Sequence, residues 1–239
     1  MPAARFDFPP ELRFFLSPQF RQGSFLYTFE LGQSVKHLVE SFGVPHTEIG
    51  QIAVNENAAG LDYLVQDGDQ VTIFPVAPAQ GIPPSGPCFV LDNHLGRLAA
   101  YLRMLGFDCL YRNDLQDEEL AHIASQDERI LLTRDRRLLM RRVVHYGYCL
   151  RSLDSRRQVR EVLRRYNLSG RIAPFRRCLR CNASLEPVSK ETILDRLQPL
   201  TRLYYAEFHL CPACGQVYWK GSHHERMLAL IAQLNDNHA

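Results

Sequence analysis

Residues 88–166 read CFVLDNHLGRLAAYLRMLGFDCLYRNDLQDEELAHIASQDERILLTRDRRLLMRRVVHYGYCLRSLDSRRQVREVLRRY. Short apolar runs fall at Cys88–Leu91, Phe107–Tyr111, Ile130–Thr133 and Tyr148–Leu153, and a helical pattern follows each. Strands alternating with helices predict parallel strands joined by crossovers, hence an α/β fold with helices against a parallel sheet. Ligands of such sheets bind beyond the carboxyl ends of the strands. Asp92, Asp114, Asp135 and Asp154 each follow one of the four runs. The expected first helix, Asn93 to Leu105, carries Leu95, Leu98, Ala99, Leu102 and Leu105 on one face, with Gly106 as its stop. Asp117 is placed to cap the second helix. Ser155 with Gln158 resembles a capping box for the fourth, whose core face is Val159, Val162, Leu163 and Tyr166.

On either side of this stretch the composition changes. Residues 1–80 hold 4 Lys+Arg against 9 Asp+Glu, net −5; residues 81–175 hold 16 against 11, net +5; residues 176–239 hold 8 against 6, net +2. Lysine occurs only at positions 36, 190 and 220, so the positive charge is almost all arginine. Arginine binds phosphate bidentately and stacks on bases, which suits a polyanionic substrate, while Arg156, Arg157, Arg160, Arg164 and Arg165 equally fit a solvated helix face. The sequence has no apolar run of the ~20 residues that span a bilayer, and MPAARFDFPPEL lacks the apolar core of a signal peptide. These features predict a cytoplasmic chain without a membrane segment.

Residues 1–78 predict a small mixed domain. Leu12–Leu16 and Ser24–Leu31, separated by QFRQG, read as a hairpin; Ser34 caps a helix with Val35, Leu38, Val39 and Phe42 on one face, ended by Gly43; strands follow at Ile52–Val54 and Val71–Pro75. Residues 79–87, AQGIPPSGP, read as a linker. From residue 175 onward come Cys178-x-x-Cys181 and Cys211-x-x-Cys214, separated by 29 residues with a helix expected around Lys190–Leu197. Two such pairs can close a tetrahedral thiolate site on Zn²⁺, and four cysteines leave no open position, so the metal would be structural. Cys88, Cys109 and Cys149 lie in strand patterns and read as core residues.

The acidic candidates are Asp92, Asp117, Glu118, Glu119, Asp135 and Asp154. Several carboxylates at one sheet edge repel one another, and hard divalent cations, Mg²⁺ or Mn²⁺, relieve that repulsion. A cap or a helix-dipole role is the competing reading for Asp117, Glu118, Glu119 and Asp154. Arg97, Arg134 and Arg136 would flank the edge and hold phosphates, or lie solvated at helix ends. Trp219 and Lys220, beside Tyr218, could stack on and pair with single-stranded nucleic acid, or Trp219 could belong to the knuckle's small core. His223 and His224 fit a helix start once four cysteines fill the metal site.

Two resemblances sharpen this reading. HTEIGQIAVNENAAGLDYLVQDGDQVTIFPVAP, residues 46–78, resembles the second half of a ubiquitin-like β-grasp domain of the sulfur-carrier kind. The carriers end in Gly-Gly; here Ala77-Pro78-Ala79-Gln80 stands there and the chain continues, which implies a binding or scaffolding module with a possible protein partner. LDNHLGRLAAYLRMLGFDCLYRNDLQDEELAHIASQDERILLTRDRRLL, with PFRRCLRCNASLEPVSK and CPACGQVYWKGSHHERM, resembles the PIN-like ribonuclease domain described at the C-terminus of the Mut-seven exonuclease, with its zinc ribbon. The resemblance implies a PIN-like parallel sheet, a metal-dependent nuclease acting mainly on RNA, Asp92, Asp117, Glu119 and Asp135 as catalytic metal ligands, and Cys178, Cys181, Cys211 and Cys214 as zinc ligands. It departs at Arg137, where a further Asp often stands. The resulting expectation is a β-grasp domain at 1–78, a linker at 79–87, a nuclease domain at 88–174 and a zinc ribbon with a C-terminal helix at 175–239. The function expected is hydrolysis of RNA, single-stranded by preference. A non-catalytic RNA-binding adaptor or an interaction scaffold is the alternative. The sequence does not indicate an oligomeric state.

Overall fold

The structure, a computed structural model, describes residues 1–235. It is mixed α/β and falls into two compact units, Met1–Gly86 with Leu115–Arg151, and Pro87–Asp114 with the chain from Ser152 onward.

In the first unit, β1 (Ala3–Asp7), α1 (Pro10–Arg13), β2 (Phe25–Thr28), α2 (Val35–Ser41), β3 (Ile49–Val54), β4 (Asn57–Ala59) and β5 (Gln70–Pro75) build a five-stranded sheet in the order β2-β1-β5-β3-β4. β1 and β5 are parallel and the other pairs antiparallel, which is the β-grasp arrangement. Ser34 caps α2 as expected, its hydroxyl accepting the His37 N–H at 3.2 Å. Val35, Leu38, Val39 and Phe42 are buried. The expected hairpin is corrected. β1 pairs with β2, and Leu12–Leu16 is a helical turn rather than a strand. Pro10 sits in the first turn of α1, where its missing N–H costs nothing, and Leu12, Phe15 and Leu16 reach the core at i, i+3 and i+4. Residues 76–88 carry no regular structure, in keeping with the Pro/Gly-rich sequence.

β6 (Phe89–Leu91), α3 (Gly96–Met104) and β7 (Cys109–Leu110) belong to the second unit, and β6 and β7 pair in parallel. The five residues of the predicted helix face are buried, although Asn93–Leu95 is a separate 3-10 turn ahead of α3. Gly106 ends the helix with φ +96°, and a Cβ there would collide with the Ala173 carbonyl, so only glycine fits. α4 (Asp117–Gln126), β8 (Ile130–Thr133), α5 (Arg136–Leu139) and β9 (Gly147–Cys149) return to the first unit, where β8 and β9 pair in parallel. All residues of β6, β8 and β9 are buried, as strands covered on both faces must be. β7 and β9 are shorter than the apolar runs that announced them.

The β-grasp segment is tied directly to residues 144–151. His46 presents its ring nitrogens to the Glu40 carboxylate at 2.7 Å and the Val144 carbonyl at 2.8 Å. The buried Glu48 accepts the Cys149 N–H at 2.7 Å and faces Arg151 at 3.4 Å. Burial, and next the Glu48 carboxylate, push the Cys149 thiol up to about 12. Cys109 is buried too, while Cys88 is only half-buried.

α6 (Ser155–Arg165) opens the C-terminal part of the second unit, with its predicted core face buried. Its cap is Asp154, whose carboxylate accepts the Arg157 N–H at 2.9 Å. Ser155 is therefore the first helical residue and not a capping-box serine, and Gln158 instead donates to the Ser152 carbonyl. β10 (Glu186–Val188), α7 (Pro199–Tyr204), β11 (Phe208–Leu210), β12 (Val217–Trp219) and α8 (Ser222–Asn235) complete the chain. The three strands form an antiparallel ribbon over a small core of Ile193, Leu197 and Phe208. The helix expected around Lys190–Leu197 is a 3-10 turn, Glu191–Arg196, and the α-helix follows it, started by Pro199. Among the described residues no helix is long and apolar enough to cross a membrane.

Candidate functional site

The four paired cysteines come together. Cys178 and Cys181 enter from the turn before β10, Cys211 and Cys214 from the turn between β11 and β12, and all four Sγ atoms lie within 4.8 Å of one another. Cys178 and Cys214 are 3.6 Å apart, Cys181 and Cys211 3.3 Å. A tetrahedral ion with Zn–S bonds of ~2.3 Å needs S···S separations of roughly 3.8 Å, so the cluster can hold a metal such as zinc. Its surroundings favour a thiolate at Cys178. Burial works against ionising Cys178, but the Tyr218 hydroxyl at 3.1 Å and the backbone N–H groups of Cys181 and Arg180 outweigh it and hold the thiol down at about 6. Burial pushes Cys181 up to about 12. Tyr218, a candidate for base stacking, has its hydroxyl committed here, since it also accepts the Leu179 N–H at 3.0 Å.

A support for this cluster escaped the sequence reading. Arg103 on α3 is only 4% exposed, and its guanidinium donates to the carbonyls of Cys109, Leu179 and Arg180 at 2.8–3.0 Å. Burial lowers its pKa. Asn182, in the left-handed conformation at φ +73°, accepts the Cys109 N–H and donates to Asp108. Together they lash the first knuckle to β7. The signal for Arg103 was its place one turn after Ala99, on the buried face of α3.

The acidic residues are distributed over both units, with Asp92 in the second and Asp117, Glu119 and Asp135 in the first. Asp92 directly follows β6. It is 5% exposed, makes no side-chain cap hydrogen bond to the turn it precedes, and faces His94 Nδ1 at 3.3 Å. Asp117 is the first residue of α4 rather than its cap, which is Gln116, and Glu118 and Glu119 complete that acidic turn. Asp135 follows β8 and caps α5, its Oδ1 accepting the Arg137 N–H at 2.7 Å while its own N–H donates to Thr133 Oγ1. Asp154 is a cap, and the exposed Asp114 is a turn residue held by Arg112, whose hydrogen bond lowers its pKa.

Among the basic candidates, Arg97 and Arg134 are exposed. Arg136 is held within the first unit, donating to the Phe15 carbonyl at 2.7 Å with its guanidinium near the Phe14 and Phe15 rings. Trp219 is 38% exposed, and Lys220 pairs with Glu207. His224 lies against the Phe175 ring; the side chain of His223 is outside the described residues.

Family models now decide what this arrangement belongs to. The model described as the Mut7-C RNAse domain matches residues 87–231. The chain belongs to the Mut7-C RNase family. A second model, described as Mut7-C ubiquitin, matches residues 1–81, so the Mut7-C RNase domain here is preceded by its ubiquitin-like domain. No curated protein and no solved structure matches the chain. The family membership covers the second unit, the acidic helix starts and the cysteine cluster in one segment.

Proposed function

We propose that the protein is a metal-dependent ribonuclease that hydrolyses phosphodiester bonds of single-stranded RNA, with Asp92, Asp117, Glu119 and Asp135 as the catalytic metal ligands. Family membership supports a nuclease. The observation that carries the site is Asp92, a buried carboxylate at the carboxyl end of a parallel strand, where such sheets take their ligands, with His94 Nδ1 at 3.3 Å. The donor set is all oxygen, which fits Mg²⁺ or Mn²⁺. Such ions, when bound, supply an activated water and neutralise charge on the phosphodiester. The chain's own part is positional. Asp92 follows directly on β6, Asp135 caps α5 two residues after β8, and Asp117 and Glu119 lie in the first turn of α4. Arg97 and Arg134 are exposed and would hold RNA phosphates. The cysteine cluster holds structural Zn²⁺ in this account, and the ubiquitin-like domain recruits a protein partner.

The test is cleavage of labelled single-stranded RNA and of the matching DNA in Mn²⁺, in Mg²⁺ and without either ion. Metal-dependent cleavage favouring RNA is expected; equal cleavage of DNA would overturn the substrate class. A second reading, an RNA-binding adaptor that does not cleave, draws on Asp135, whose carboxylate caps α5, and on Arg137 two residues later. Binding without cleavage in either metal would favour it.

A further inference from the structure

Two cavities flank Trp219 within the second unit. One, of about 330 Å³, is lined by Phe175, Arg176, His209, Trp219 and His224 among others. The other, of about 730 Å³, is lined by Tyr101, Arg156, Tyr205 and Trp219 among others. Trp219 thus borders both, and its indole N–H has no acceptor among the described residues. The ring lies 6.4 Å from that of Tyr205 on one side. In the smaller cavity the Phe175 and His224 rings lie 4.3 Å apart. Phe175 adopts φ +60°, a conformation a bulky side chain takes only when its surroundings enforce it. Arg176 and Arg156 are exposed, one at each cavity, and neither side chain has a hydrogen bond or ion pair among the described residues. Aromatic faces flanked by uncommitted cations match a chain of bases and phosphates.

We propose that the two cavities flanking Trp219 are a binding track for single-stranded RNA, taking unpaired bases against Trp219 and phosphates at Arg176 and Arg156. The track deepens the ribonuclease reading and rests on RNA being the substrate. Charge selects this occupant: the cations beside the rings are arginines, and the acid in the smaller cavity, Glu207, is paired with Lys220. The committed hydroxyl of Tyr218 removes that residue from the bases without removing its neighbour.

Trp219 is the single tryptophan of the chain, so tryptophan emission, excited at a wavelength the tyrosines do not absorb, reports on this place alone. Full-length, zinc-loaded protein without added Mg²⁺ or Mn²⁺ is titrated with an eight-nucleotide oligo(A) and with an abasic ribose-phosphate chain of the same length. The track predicts saturable quenching by oligo(A) and binding at least about tenfold weaker for the abasic chain. Arg176→Gln and Arg156→Gln, both at exposed positions, should each weaken binding several-fold and lower the slope of log affinity against log salt by about 0.7. Unchanged fluorescence at saturating RNA, with both variants binding like wild type, would overturn the track even if the protein cleaves RNA. Equal binding of the abasic chain would overturn it too, because the contact would then be charge alone. Quenching that persists in a protein unable to cleave in Mn²⁺ would leave the track standing and remove the nuclease.

Discussion

The cysteines and the acidic residues are both sets of four, and the fold treats them differently. The cysteines arrive on two tight turns, meet within one unit, and are backed by the Tyr218 hydroxyl at Cys178 and by Arg103 and Asn182, which tie the first turn to β7. The acidic residues come from three places, Asp92 after β6, Asp135 after β8 and Asp117 with Glu119 in the first turn of α4, and Asp135 carries a local task, as do Asp154 and Asp114 outside the set. Asp135 and Asp154 hold helix N-termini, and Asp114 holds Arg112. A thiolate site that stabilises a fold can be closed by local sequence. The proposed acidic site would take its members from separate elements, where a cap and a metal ligand call for the same residue types.

The largest effect that would test this contrast is on the cysteine side. Elemental analysis should find one equivalent of metal in the wild type and none in Cys211→Ser, whose ribbon should unfold, because structural zinc supplies folding free energy of about 10 kcal/mol or more. A folded ribbon that retains metal in this variant would break the contrast. Smaller effects follow where buried charges are only structural. Arg103→Met leaves buried carbonyls unpaired and should cost about 3 kcal/mol in urea unfolding and speed metal loss to a chelator. Glu48→Ala should cost a similar ~3 kcal/mol by exposing the Cys149 N–H and Arg151 to an unfilled site, while cleavage per folded molecule stays near wild type. A loss of cleavage there beyond the loss of folded protein would move Glu48 into the functional set. The smallest effects separate the two caps. Asp154→Ala should lower stability by about 1 kcal/mol and leave cleavage intact. Asp135→Asn keeps a good cap, so stability should change by only ~0.5 kcal/mol or less, yet cleavage should fall by orders of magnitude. Equal cleavage by both variants would make Asp135 a cap and nothing more.

Legibility in the sequence followed the same division. The CxxC spacing named the four cysteines that cluster because each pair is closed by its own turn, and the helix faces of α2, α3 and α6 were legible because their apolar residues recur every third or fourth position. Leu12–Leu16 was misread because a five-residue apolar run fits a strand and a helical turn equally, and Pro10 decided between them. The cap of α6 was displaced by one residue because Asp154 and Ser155 are both good caps and only backbone geometry chooses. Arg103 stayed hidden because a charged residue in a helix reads as exposed until the carbonyls it binds, 76 and 77 residues away, are folded against it. For the same reason the sequence offered Arg136 to phosphate, when its nearest partners are the Phe15 carbonyl and two aromatic rings.

The central claim is that a buried acid at the end of β6 does chemistry and not architecture. The direct measurement is RNA cleavage by Asp92→Asn in saturating Mn²⁺, with zinc content and unfolding midpoint recorded on the same sample. The account predicts at least a thousandfold loss of cleavage with zinc retained and the fold intact. Wild-type cleavage by a folded, zinc-loaded Asp92→Asn protein would contradict it.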